Sequence, residues 1–365
     1  MTEESFSYKT WKRLKKNKAA MCGLFFILLT TIIAVLGYFI APDNSPNCDL
    51  QTVEIQAKKP GYSQLFLKTQ EKENEHPGFF KTLISGKPTV YNYLPIVSYT
   101  IQQDRLIVQK YVDEDTSITQ VYSINSITHH HPEKLITENL ITKKYWLGTD
   151  KFGRDILSRL IIGARVSLAV GFIAVLVSLL LGVFLGAVAA YYRGWIDEVI
   201  MWLINVTWSI PTLLLVFAFT MAMGKGLTQI FVAVGLTMWV SVARLIRGQV
   251  ISIKELDYVQ AAKALGFTNR RIILKHILPN TLGPLMVIAA GNFATAIIIE
   301  SGLSFLGIGV QPPQPSWGLM IKENYHFIIT HNPLLAIIPG FAIMLLVLSF
   351  NLLGNGLRDA VDVRN

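Results

Sequence analysis

Six long runs without a charged residue constrain the fold of this chain of 365 residues. Each run is at or above the roughly 18 residues that a helix needs to cross a hydrocarbon layer of about 30 Å. Only 16% of the residues are charged, whereas a typical soluble domain has about 25%. The sequence therefore predicts an integral membrane protein with six helical spans. The runs are residues 19–42, 166–192, 199–224, 226–243, 277–299 and 332–357.

The distribution of Lys and Arg orients these predicted spans. With the N-terminus inside, the cytoplasmic pieces hold sixteen Lys and Arg residues, and the two short outer loops hold two. This positive-inside bias predicts that both termini are cytoplasmic and that residues 43–145 lie outside. The net charge of +9 then follows from topology, so we expect no nucleic-acid partner.

The chain divides into three predicted regions. Residues 1–42 form a cytoplasmic tail and the first span, and residues 146–365 form the other five spans. Residues 43–145 are polar and contain the runs VSYTIQ, RLIVQKYV and SITQVYS, which are rich in strand-forming residues and separated by short polar turns. The sequence thus predicts an all-α membrane protein with a β-rich extracytoplasmic insert between spans 1 and 2.

Possible metal ligands and cysteines give no further signal. Cys22 falls in the first span and Cys48 beyond it, so we expect no disulfide between them, and no zinc-type spacing occurs. The three histidines at 129–131 precede a proline and have no nearby Cys or spaced acidic set. We interpret them as a solvated loop and predict no metal site.

A basic segment, residues 251–280, lies between two apolar runs and predicts two short cytoplasmic helices. Ser252 and Glu255 form a capping box that would start the first helix. Gly266 would end this helix with a positive φ. Residue 268 or 269 would cap the second helix, and Pro279 would stop it just before the next span.

The letters QAAKALG and HILPN in this segment resemble the EAA loop of ABC importer permeases. Ala261, Ala262, Gly266 and Pro279 match the family pattern, and Gln260 stands where the family has Glu. Three other stretches resemble motifs of the C-subunit type of dipeptide and oligopeptide permeases: LGTDKFGRDILSRLIIGARVSL, ESGLSFLGIGVQPPQPSWGLM and FNLLGNGLRDAVDVR. The resemblance covers about residues 10–42 and 146–365, but not the insert.

This resemblance implies a permease that imports peptides across a bacterial inner membrane. The implied partners are a B-type sister permease, two ABC ATPase subunits, an extracytoplasmic binding protein, the peptide substrate and membrane lipid. The ATPases would bind ATP and Mg, because this chain has no Gly-x4-Gly-Lys-Ser/Thr phosphate loop and is not expected to be an enzyme. The residues implied to couple to the ATPase are Gln260, Ala261, Ala262, Lys263, Gly266 and Pro279.

Five other residues are candidates for the translocation path or its gate: Asn205, Trp208, Pro211, Glu300 and Ser304. Pro211 lies inside the third predicted span and should kink its helix. Glu300, at the end of the fifth span, is either a functional group or a residue solvated at the interface, and solvation is the simpler explanation. Residues 147–168 predict a helix along the outer membrane surface, with Asp150 capping a turn.

Two other classes of function compete with transport. A membrane-embedded hydrolase needs an acidic residue or Lys beside Ser or His, and the six runs contain neither an acidic residue nor Lys. A sensor with an extracytoplasmic ligand domain needs a cytoplasmic signalling domain, for which the cytoplasmic pieces are too small. Among transporters, nickel or another small solute is the close alternative to peptides.

Overall fold

The computed structural model of the protein describes residues 6–70, 78–128, 138–224, 226–330 and 332–361. Most of these residues are helical, and the strands lie between residues 62 and 145. The α-helices of this part of the chain, α1 to α14, are Phe6–Lys16, Lys18–Val35, Gly37–Ile40, Phe79–Ser85, Ile124–Thr128, Ile156–Tyr192, Gly194–Trp208, Thr212–Met223, Leu227–Lys254, Asp257–Ala264, Asn269–Ile272, Leu282–Leu306, Trp317–Asn324 and Leu334–Val361. The strands, β1 to β5, are Tyr62–Gln70, Tyr91–Gln102, Arg105–Tyr111, Ser117–Ser123 and Leu140–Tyr145.

Five helical segments in the described ranges are long and apolar enough to cross a membrane, and they contain α2, α6, α9, α12 and α14. The remaining predicted run, 199–224, is divided between α7 and α8, which are bent by 96° relative to each other. Pro211 precedes α8 and has an extended backbone with ψ of 127°. Because proline lacks an N–H and clashes with the preceding turn, the expected kink is a full break.

Two of these helices are longer than the apolar runs that predicted them. α6 is continuous from Ile156, so the separate surface helix predicted over residues 147–168 is wrong. α9 continues through Arg244 and Arg247. The guanidinium of Arg247 donates two hydrogen bonds of 2.7 Å to the carboxylate of Asp197 on α7. This paired charge does not end the helix.

The chain divides into two compact units, of which the first comprises residues 1–31, 166–311 and 341–365. In this unit α6 packs closely against α9 at Gly182. A Cβ atom on Gly182 would lie 2.5 Å from Cβ of Val242 and 2.7 Å from the carbonyl oxygen of Trp239. Gly186, four residues later, is equally close to the backbone of Ala243. This small-xxx-small spacing lets two helix backbones approach each other within a membrane.

The second unit comprises residues 32–165 and 312–340 and contains an antiparallel sheet of strand order β4-β3-β2-β1-β5. One face of the sheet packs Leu67, Leu106 and Val108 against α5. The other face buries Phe66 and Tyr145. The three strand-like runs noted in the sequence coincide with β2, β3 and β4, whereas β1 and β5 were not predicted.

We expect Gly182→Leu to destabilise the packing of α6 on α9, because the backbone of Trp239 cannot move aside without shifting its helix. Overpacking of this kind typically costs about 1–3 kcal/mol. Thermal unfolding of the detergent-purified protein measures the effect. Gly248→Leu on α9 is the matched control, since a Cβ atom there would meet nothing within 4 Å. Equal stability of the two variants would contradict this account of the helix contact.

Candidate functional site

The basic segment between α9 and α12 forms a helical hairpin, which we define as residues 256–281. Ser252 lies inside α9, and its hydroxyl donates a hydrogen bond to the carbonyl oxygen of Gly248. The predicted capping box of Ser252 and Glu255 is therefore wrong. α10 begins after Leu256, which has an extended backbone and no side-chain cap.

The bend of the hairpin lies at Gly266, whose φ is +76°. A residue with a side chain enters this left-handed region at a cost of about 1 kcal/mol or more. The N–H of Gly266 donates to the carbonyl oxygen of Lys263 at 3.0 Å, and the next N–H, of Phe267, donates to that of Ala262 at 3.2 Å. A Cβ atom on Gly266 would meet nothing within 4 Å. The glycine is therefore required for its backbone conformation, as predicted, and not for space.

Pro279 does not stop the second helix of the hairpin. The chain is helical over Asn269–Leu306, through α11, a π-helical turn at Ile273–Ile277, a 3₁₀ turn at Leu278–Thr281 and α12. Pro279 occupies the first turn of the 3₁₀ segment, where its missing N–H needs no partner. The second arm of the hairpin is thus continuous with α12.

One face of the hairpin is buried within this chain. Ala262 is 4% exposed, and it belongs to an apolar cluster with Val259 and Ile272 of the hairpin and Ile253 of α9. Ala262, one of the residues implied to couple to the ATPase, is therefore not exposed to a partner, because its methyl group fills the hairpin's own core. The other predicted coupling residues are exposed: Gln260, Ala261, Lys263, Gly266 and Pro279.

Three hydrogen bonds link the hairpin, the end of α9 and the end of α6. The side-chain amide of Gln260 donates to the carbonyl oxygen of Lys254 at 2.8 Å. The ammonium of Lys254 donates to the carbonyl oxygen of Tyr191 at 2.7 Å. The hydroxyl of Tyr191 donates to Asn269 at 2.8 Å. These bonds connect the hairpin to the ends of both helices.

Exposed apolar side chains on the hairpin were not singled out from the sequence. Leu265 is 74% exposed, and Leu256, Tyr258 and Leu274 are also exposed. Exposed apolar groups clustered on one element are typical of an interaction surface. Leu265 follows Ala262 by three residues, so helical periodicity puts both on one face. Leu265 nevertheless is exposed, and it lies just beyond the end of α10 at Ala264.

Three of the path candidates, Asn205, Trp208 and Pro211, lie near the break between α7 and α8. The guanidinium of Arg244, on α9, donates to the side-chain oxygen of Asn205 at 3.2 Å. It also lies 3.8 Å from the ring centre of Trp208. Arg244 was not a predicted candidate, yet it brings Asn205 and Trp208 together, whereas Pro211 supplies the break. An exposed cation–π contact contributes about 0.5–1 kcal/mol, so it orients these side chains without locking them.

Glu300 and Ser304 form a second group, at the end of α12. Glu300 is fully buried, so the expectation that it is solvated at an interface is wrong. The hydroxyl of Ser304 donates to Glu300 at 2.7 Å and accepts the N–H of Val310 at 3.0 Å. This pair therefore stabilises the turn that follows α12, where Gly309 lies directly against Ser304.

A charge cluster in the second unit was also missed, and we define it as Asp49, Asp150, Arg154, Arg159 and Glu323. Arg154 and Arg159 are each 1% exposed. The guanidinium of Arg154 donates to Glu323 and Asp150 at 2.6 Å each and to Asp49 at 3.0 Å. Arg159 lies 3.3 Å from Glu323. Sequence spacing could not reveal this cluster, because 169 residues separate Arg154 from Glu323.

Asp150 also forms the predicted capped turn. Its Oδ1 accepts the N–H groups of Phe152 at 2.9 Å and Arg154 at 3.0 Å. In the described ranges, no group of three or more His, Cys, Asp or Glu could hold a metal ion. The histidines at 129–131 lie outside those ranges. Cys22 and Cys48 are free thiols.

Comparison with known proteins identifies the family. Residues 178–365 match the family described as binding-protein-dependent transport system inner membrane component. The chain belongs to this family. Residues 5–56 of this permease match the N-terminal TM domain of oligopeptide transport permease C.

Curated relatives of the permease include the dipeptide transport system permease protein DppC of Alkalihalophilus pseudofirmus. It is 45% identical over 219 residues, which are 60% of this chain and 72% of that protein. The glutathione transport system permease protein GsiD of Pectobacterium atrosepticum is 43% identical over 218 residues, 60% of this chain and 72% of that protein. DppC of Bacillus subtilis is 34% identical over 358 residues, 98% of this chain and 86% of that protein.

We expect Glu323→Gln to destabilise the permease, because it removes a carboxylate from two buried guanidinium groups. Removal of one partner from a buried ion pair typically costs about 3–5 kcal/mol. Thermal unfolding in detergent measures the loss. Glu114→Gln is the matched control, since Glu114 pairs with Lys58 but is 81% exposed, and it should leave the unfolding midpoint unchanged. A Glu323→Gln variant as stable as the control would show that the charge cluster does not stabilise the fold.

Proposed function

We propose that this permease is one membrane subunit of an ABC importer of dipeptides or oligopeptides in a bacterial inner membrane. The observation that carries this proposal is the similarity to DppC of Bacillus subtilis, which extends over 98% of the chain. The dipeptide permease of Alkalihalophilus pseudofirmus, at 45% identity, supports the same substrate class.

The proposed assembly contains a B-type sister permease, two ATPase subunits and an extracytoplasmic binding protein. ATP and Mg would be bound by the ATPases, and specificity would depend largely on the binding protein. The exposed face of the hairpin supports the proposal that a separate ATPase subunit binds this permease. It presents Leu265 and Ala261 to solvent, while Ala262 and Val259 hold the hairpin to α9.

In the proposed mechanism, closure of the ATPases displaces the hairpin. The second arm of the hairpin continues into α12, and Gln260 is bonded to the end of α9. The displacement would therefore rearrange these membrane helices and alternate the access of the path. Asn205 and Trp208, exposed at the break before Pro211, suit a path or gate better than the buried Glu300 and Ser304.

The same proposed assembly is compatible with small substrates other than linear dipeptides. The GsiD relative is named for glutathione, which is itself a small peptide. Nickel or another small solute is an alternative that rests only on the shared motifs of these permeases.

The proposed topology has six spans, with α7 and α8 together forming the third. Both termini and the hairpin would be cytoplasmic, and the sheet of β1 to β5 would be extracytoplasmic. The many Lys and Arg residues of α1 and the hairpin support this orientation, since such residues accumulate in cytoplasmic segments.

We expect single cysteines at Glu255→Cys and Ser117→Cys to react with a membrane-impermeant maleimide from opposite sides of the membrane. Both positions are exposed. The native cysteines are replaced by Ala, and native Cys48 is no reporter because it is fully buried. Labelling of intact spheroplasts and of inverted vesicles measures the sidedness. Labelling of both positions from the same side would disprove the topology.

We expect Gly266→Arg to abolish ATP-driven uptake of labelled dialanine by the complete transporter and to weaken ATPase association, with membrane insertion preserved. The variant strains the bend and places a charge on the exposed face beside Leu265. Uptake into proteoliposomes and co-purification of the ATPases are measured together.

Gly194→Arg is the matched control for this experiment. Gly194 also has a positive φ, and a Cβ atom there would meet nothing within 4 Å. It should therefore suffer a similar backbone strain and retain its ATPases. Normal uptake by Gly266→Arg would refute the coupling role, and absence of dialanine uptake by the wild-type transporter would refute the substrate class.

A further inference from the structure

A cavity of about 610 Å³ lies between α9, α12 and α14 in the first unit. Pro284, Ile288 and Asn292 line it at intervals of four residues, so they share one face of α12. Gln249 of α9 and Arg358 of α14 also line it. Its volume lies within the range of about 300–1,000 Å³ that is typical of small-molecule sites.

The side chain of Asn292 is unusual within this cavity. It is only 8% exposed, and in the described part of the chain its amide nitrogen has no hydrogen-bond partner. A buried donor without an acceptor is unfavourable, so Asn292 has an unused capacity to bind an acceptor.

The lining of the cavity indicates which acceptor fits. Asn292, Gln249 and Arg358 all offer N–H groups, and none of the described residues that line the cavity is acidic. Leu245 is among the apolar residues that form the rest of the wall. A Cβ atom on Gly291 would meet nothing within 4 Å, so the space beside Asn292 is open. The matching ligand has a carboxylate or similar anionic group joined to an apolar part.

We propose that this cavity binds the carboxylate end of the transported peptide, with the amide of Asn292 and the guanidinium of Arg358 as its donors. This assignment rests on the proposed function, because a peptide is the substrate that would bring such a group into the permease. The same chemistry is present in the headgroup of an anionic lipid, which the experiment must distinguish from a peptide.

The test measures photolabelling of the complete transporter by alanyl-photoleucine, a dipeptide with a diazirine side chain and a free carboxylate. The transporter is held in nanodiscs of phosphatidylcholine without binding protein, and mass spectrometry locates the label. We expect labelling of α12 in the wild type, with unlabelled dialanine competing better than its C-terminal amide.

Asn292→Leu removes the donor while keeping the branching at Cγ, and it should raise the half-saturating concentration about tenfold or more, since hydrogen bonds to charged groups are among the stronger ones. Asn351→Leu is the matched control on α14, because Asn351 is exposed and does not line the cavity. It should label like the wild type. Arg358→Gln, at an exposed position, tests the site even where Asn292→Leu fails to assemble, and it should remove the preference for the carboxylate over the amide.

Two results would overturn the site. Unchanged labelling in both Asn292→Leu and Arg358→Gln would show that neither donor binds the peptide. Loss of wild-type labelling after addition of phosphatidylglycerol to the nanodiscs would assign the cavity to anionic lipid. Failure of the proposed function would differ from both, because dialanine would then not be imported even with the binding protein present.

Discussion

Burial of Val259, Ala262 and Ile272 beside α9 fixes the hairpin to the membrane helices. Full burial of a Val or Ile side chain contributes about 1.5–3 kcal/mol, so this apolar contact outweighs the individual hydrogen bonds around it. The hairpin is therefore part of the membrane domain and not a loose loop between spans. The opposite side of the hairpin is exposed, and Leu265 lies there. In the proposed mechanism, a protein that binds Leu265 would act on α9 and α12 through this contact.

Polar backbone groups must be satisfied by hydrogen bonds, and this requirement explains the positions where helices break. A backbone N–H within a membrane needs a partner in the protein, because no water is available. After α12 the hydroxyl of Ser304 accepts the N–H of Val310, and Glu300 accepts the hydroxyl proton of Ser304. The break before α8 occurs at Pro211, which has no N–H to satisfy. The hydrogen bonds of Glu300 and Ser304 thus stabilise the turn that follows α12.

Local signals in the sequence predicted local features well. Gly266 has the predicted positive φ, and Pro211 interrupts its helix as predicted. Both features were predictable because each depends only on the backbone of one residue. The strand-like runs coincide with β2 to β4. β1 and β5 were missed. β1 pairs with β2 on one side and with β5 on the other, and neither segment records these distant partners locally.

Features that depend on partners distant in sequence were not predictable from one chain. Arg154 and Arg159 are buried because carboxylates from other segments surround them, and no local pattern records those partners. The capping box at Ser252 failed for a related reason. α9 continues because its residues pack against the hairpin and α6, and this tertiary packing outweighs a cap whose contribution is about 0.5–2 kcal/mol. Ala262 likewise matched the family pattern, but only the packed structure shows that its methyl group points inward.

The close contact between α6 and α9 determines how a displacement of the hairpin spreads. Gly182 and Gly186 bring the two backbones together, so the helices are in close contact in this region. Lys254 at the end of α9 is bonded to Tyr191 near the end of α6, and Tyr191 is bonded to Asn269 of the hairpin. The hairpin is therefore attached to a paired unit of two helices. In the proposed mechanism, a displacement of the hairpin would therefore act on both helices together.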